Sequence, residues 1–117
     1  MMIKRIEAGA RMSKAVVHGN TVYLAGQVAD KTKGKSVTEQ TTEILSIIDG
    51  LLEQAGSDKT KLLSANIWLP DMATFGEMNA VWDKWVIAGQ APARATVESK
   101  LAGPDYKVEI AVIAAIE

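Results

Sequence analysis

Residues 106–116, YKVEIAVIAAI, restrict the fold more than any other segment. Val108, Ile110, Val112, Ala114 and Ile116 alternate with Ala111, Ile113 and Ala115, so a β-strand here carries apolar side chains on both faces. Lys107 and Glu109 are the polar members of the second face. A strand of this kind needs cover from both sides, because an apolar face left in water forfeits the stabilisation that burial supplies.

Two segments have helical spacing. Ser36 and Glu39 form a capping-box pair, followed by Ile44, Ile47, Ile48, Leu51, Leu52 and Ala55 on one stripe and by the stop residue Gly56. The second starts from a cap at Asp71 or Thr74, buries Phe75, Met78, Trp82, Trp85 and Val86, and ends at Gly89. Its tryptophans read as core. Strands are expected at 2–7, in a hairpin around His18-Gly19-Asn20 within SKAVVHGNTVYLAGQV, in LLSANIWLP, at 93–99 and at 106–116. In LLSANIWLP, Leu63, Ala65, Ile67 and Leu69 share a face and Pro70 ends the strand.

The order is therefore βββαβαββ, an α+β arrangement in one domain spanning 1–117, with both helices over one face of a single sheet. Two helices cannot cover the other face. A second copy of the chain is the economical cover, and such assemblies usually close with cyclic symmetry.

Composition removes several classes of function. A net charge of −1 gives no basic footprint and speaks against nucleic acid. Lys31, Lys33 and Lys35, and Lys59 and Lys61, read as solvated loops. There is no cysteine and one histidine, His18, expected beside a turn, so no metal site is expected. The N-terminal MMIKRIEAGARM alternates and carries charge, unlike a signal peptide or a membrane span. A cytoplasmic protein is the default expectation.

Against this background two residues stand out. Arg94 lies in APARATV with no acidic residue within three positions, and Glu109 lies inside the apolar last strand. PARATV followed by YKVEIAVIAA resembles the signature of the RidA/YjgF family, P-x-R-x-x-V and then V-E-I before small apolar residues. GNTVYLAGQV is similar to that family's early G-N-x-hydrophobic-hydrophobic-S/A-G-Q strand, and FGEMNAVWDKW to its F-x-x-M/V-N-x-x-W/Y helix. The resemblance spans essentially the whole chain and is strongest to the YoaB-like branch.

The resemblance implies a chorismate-mutase-like fold and a homotrimer with a central barrel and clefts between subunits. It also implies hydrolysis of reactive enamines and imines, such as 2-aminoacrylate and its imine tautomer, to 2-keto acids and ammonia, with no cofactor. The carboxylate-binding arginine falls on Arg94, the acidic residue on Glu109, the helix asparagine on Asn79 and the cleft glycine on Gly26. Met12, Ala25 and Thr96 stand where well-studied members have tyrosine, serine and cysteine. These departures bear on substrate range more than on reaction type.

The chemistry suits those assignments. A guanidinium fork binds a planar carboxylate bidentately, and a carboxyl between Val108 and Ile110 is placed for desolvation to raise its pKa towards neutrality. Arg94 and Glu109 could alternatively satisfy each other as an ion pair across adjacent strands. Competing functions are a non-catalytic 2-keto acid sensor, an endoribonuclease and a chaperone-like interaction protein.

Overall fold

The structure, a computed structural model, describes residues 2–116. Its elements are β1 (Ile3–Ala8), β2 (Ser13–His18), β3 (Thr21–Leu24), α1 (Val37–Gln54), β4 (Leu62–Leu69), α2 (Phe75–Trp85), β5 (Ala93–Glu98) and β6 (Glu109–Ala115). Short 3₁₀ turns at Lys59–Lys61 and Met72–Thr74 precede β4 and α2. The order agrees with the expected βββαβαββ. All six strands form one sheet in the order β1-β2-β3-β6-β4-β5. Only the β4–β5 pair is parallel, which follows from the α2 crossover between them.

Local chemistry accounts for the element ends. Ser36 Oγ accepts from the Glu39 N–H while the Glu39 carboxylate accepts from the Ser36 N–H, completing the capping box of α1. Gly19 takes φ 65° at the first central position of the His18–Thr21 turn, where a side chain would be strained. His18 is exposed there, as expected.

Both helices pack against one face of the sheet. Ile44, Ile48 and Leu52 of α1 and Met78 and Trp82 of α2 join Val22, Ala65, Ile67, Ile110, Val112 and Ala114 in a single buried cluster. The opposite face is open in the single chain. One transverse row on it, Arg5–Val16–Tyr23–Ile113–Ser64–Ala93, crosses all six strands, and Tyr23 is 46% exposed. The two-sided character of β6 is thus real, and one of its sides has no cover from helix or loop among the described residues.

Four details depart from expectation. A register shift between Leu62 and Ser64 turns Leu63 outward, so Leu62 takes the buried position and Leu63 is 50% exposed. Asp71 caps the 3₁₀ turn by accepting from the Ala73 N–H, whereas Thr74 precedes α2 without a side-chain cap. That helix ends at Trp85, short of Gly89. The last strand begins at Glu109 rather than Tyr106. Buried Gln40 on α1 explains this last difference: its amide donates to the Asp105 carbonyl and its oxygen accepts from the Lys107 N–H. Those bonds draw residues 105–107 towards the helix, and Lys107 lines a groove with Ser36, Thr74 and Glu77 instead of sharing a face with Glu109.

Candidate active site

Arg94 is the second residue of β5, an edge strand, and pairs in register with buried Ala65 of β4. Its side chain therefore points to the helix-covered face. There Nη1 donates to Asn79 Oδ1 of α2 at 2.8 Å. The guanidinium carbon lies 5.3 Å from the Trp82 ring centroid and 5.8 Å from that of Phe75, so two aromatic rings pack against the cation. Among the described residues no carboxylate pairs with Arg94. Thr96, two residues on along the same face, has a buried hydroxyl with no hydrogen-bond partner. An oriented, half-buried guanidinium without a counter-ion beside an unpaired hydroxyl is suited to a small anion with a further polar group.

Glu109 opens β6 between Val108 and Ile110, both fully buried. It pairs in register with Trp68 of β4, and the two line a cleft of about 240 Å³ with Ser99, Lys100, Leu101 and Ala102. Desolvation raises its pKa above the usual carboxylate value. Gly26 explains how the carboxyl reaches its place. A Cβ on residue 26 would lie 2.0 Å from Glu109 Oε2, so the side chain occupies space that only glycine leaves free.

Arg94 and Glu109 do not meet within the chain. Ala65 pairs with Arg94 on one side and with Val112 on the other, so these three share the helix face. Glu109 is three residues from Val112 and therefore points to the open face. With β4 also between their strands, the ion pair considered from spacing is overturned for one chain. The two polar residues lie on opposite faces of the sheet.

The sequence profile of the family described as Endoribonuclease L-PSP matches residues 2–116. A RutC family protein of Haemophilus influenzae is 47% identical over 114 residues, covering 97% of this chain and 98% of the relative. The RutC family protein YoaB of Escherichia coli K12 is 46% identical over 116 residues, covering 99% and 100%. This chain belongs to the YjgF/L-PSP family. A YjgF-family crystal structure from Neisseria meningitidis superimposes with a TM-score of 0.96 at 42% identity, covering all of this chain and 97% of that one.

Of the residues that the YjgF/L-PSP resemblance singled out, all but Met12 gather beside either Arg94 or Glu109. Asn79 and Thr96 accompany Arg94, and Gly26 accompanies Glu109 with Ala25 beside it. Met12 is 51% exposed at the turn of the first hairpin, in a shallow cleft with Gly9, Ala10 and Arg11 that includes neither Arg94 nor Glu109. Sequence reasoning missed the cation platform: Trp82 is core, as expected, yet it also supports Arg94, while Phe75 is 38% exposed beneath the same guanidinium. It missed Trp68 as well. An aromatic on the outward register of β4, in line with Ser64 and Asn66, was the available signal.

Proposed function

We propose that this protein hydrolyses small 2-imino acids and their enamine tautomers to 2-keto acids and ammonia, at clefts between the subunits of a homotrimer. The observation that carries the reading is the separation of Arg94 and Glu109 onto opposite sheet faces, each half-buried and neither neutralised by an ion pair among the described residues. One chain holds a carboxylate anchor and a proton donor that it cannot bring to the same ligand. A second copy laid against the open face supplies the missing half and covers the apolar row of β6.

In such a cleft the Arg94 fork holds the substrate carboxylate, with Asn79 fixing the orientation of the guanidinium. Desolvation shifts the Glu109 carboxyl towards its protonated form, the direction a proton donor needs. Protonated Glu109 delivers its proton to the methylene carbon of an enamine, giving the iminium. The resulting carboxylate removes a proton from a water as its oxygen attacks the C=N carbon. Returning that proton to nitrogen makes ammonia the leaving group; as it departs, the carbinolamine hydroxyl gives its proton to the Glu109 carboxylate, so the C=O bond forms and the protonated acid is restored. The imine and one water become the keto acid and ammonia, and no electrons change hands. Because the imine hydrolyses unaided in water, a sparse site with one acid–base group is sufficient.

The test is a coupled assay that generates 2-aminoacrylate or bulkier imines in situ and follows keto-acid and ammonia release. Wild type should accelerate release and Arg94→Ala should not. Keto-acid binding at Arg94 without any acceleration would favour the sensing reading, for which the hydroxyl-free Ala25 and Met12 are the motive.

A further inference from the structure

The segment that follows β3 and carries Gly26 is out of step with β6. Thr21, Val22 and Tyr23 pair with Ala115, Ala114 and Ile113, but the next bridge joins Gln27 to Ile110. Three residues, 24–26, therefore face two, 111–112, and the extra one makes a β-bulge. Gln27 closes this bulge from both ends. Its backbone N–H donates to the Ile110 carbonyl at 2.8 Å and its carbonyl accepts from the Ile110 N–H at 3.1 Å. Its side-chain amide turns back and donates to the Ala25 carbonyl at 2.9 Å. The side chain is 2% exposed, an expensive place for an amide whose only task is filling space.

We propose that Gln27 is a positioning residue: by locking the Ala25–Gly26 bulge it sets the wall against which the Glu109 carboxyl rests. The bare Cα of Gly26 is that wall, and Ile110, which Gln27 grips, is the residue next to Glu109. Without the amide bond the Ala25 carbonyl is free to rotate out and the bulge can slip towards regular pairing. Gly26 then withdraws, and water reaches the carboxyl. The charged group that lines the same cleft is Lys100; β2 meets the bulge through the Lys14 carbonyl, which accepts from the Ala25 N–H, while β4 presents Trp68 and the bulge presents Gly26, neither of which titrates at working pH.

The inference rests on the imine-hydrolysis reading for its kinetic arm only. Gln27→Met keeps length and burial but removes the donor. It should lower kcat about 10- to 100-fold with KM nearly unchanged, as misplacement of a reacting group does. In the pH–rate profile, the limb belonging to Glu109 should move down towards the ordinary carboxylate range. Titration of the Glu109 carboxyl by carbon-13 NMR should show the same downward move, and this readout stands even if wild type turns over no imine. Ile44→Val in α1 is the control for lost stability alone and should lower Tm without moving either titration. If Gln27→Met does not fold, Gln27→Asn, too short to reach Ala25, takes its place with the same expectation. A Gln27 variant with lowered Tm but wild-type kcat and an unmoved Glu109 titration overturns the proposal.

Discussion

Arg94 of β5 and Glu109 of β6 project from opposite faces of one sheet, with β4 running between their strands. A reaction that uses both must draw them from different chains. Arg94→Ala and Glu109→Gln, each inactive alone, should therefore complement when co-refolded. For the proposed trimer, random mixing in equal amounts leaves about a quarter of the inter-subunit sites with both residues intact, so about a quarter of wild-type activity is expected. Mixtures as inactive as either parent would place both residues in a single subunit's site.

Gly26→Ala inserts a methyl where the Glu109 carboxyl lies, since the added Cβ falls 2.0 Å from Oε2. The side chain must swing away, at an overpacking cost of about 1–3 kcal/mol. Turnover should fall steeply while pyruvate still binds at Arg94, as calorimetry can show. Wild-type turnover in this variant would mean that the position of Glu109 is unimportant.

Glu109→Gln separates stability from activity. Desolvation favours the protonated carboxyl, so the folded pKa is raised above the unfolded value of 4.5. The stabilising contribution of that proton is present in acid and lost as pH rises through the folded pKa. Glutamine mimics the protonated form, so the variant should melt above wild type at neutral pH, and the gap should close below about pH 4. Its kcat should drop by roughly 10²–10⁴, the usual share of a general acid–base group. Scanning fluorimetry across pH and the coupled assay check the two halves.

Glu43 behaves in the opposite sense. Burial alone would raise its pKa, but hydrogen bonds from the Thr32 hydroxyl and the Asp30, Lys31 and Thr32 N–H groups prevail and bring it down from 4.5 to about 2. Its contribution is present above 4.5 and lost as pH falls towards about 2. Glu43→Gln should destabilise the protein at neutral pH by about 1–3 kcal/mol, through the loosened 30–32 loop. Below about pH 2 the variant and wild type should unfold alike. Equal denaturation midpoints at neutral pH would show that the loop does not depend on the carboxylate.

Much of this architecture was legible because it depends on near neighbours in the chain. The capping box of Ser36 and Glu39, the Gly19 turn and the alternation of Val108 to Ile116 act over a few residues, so the element order and the uncovered strand face could be read directly. Arg94 and Glu109 could likewise be picked out, because a charge without a local partner in an apolar run is visible in sequence. Which face each one takes was not. That depends on β6 and β5 flanking β4, on the parallel register Ala65↔Arg94 and on the antiparallel register Ala65↔Val112, pairings between residues far apart in the chain. The shifts at Leu63 and at Ala25–Gly26 are of the same kind: one extra residue reverses every later side chain, and its position is set by what the neighbouring strand offers. The sequence determined which residues could form an anchor and an acid, because their chemistry is local; only tertiary structure decided that one chain keeps them apart, because strand order and register are long-range.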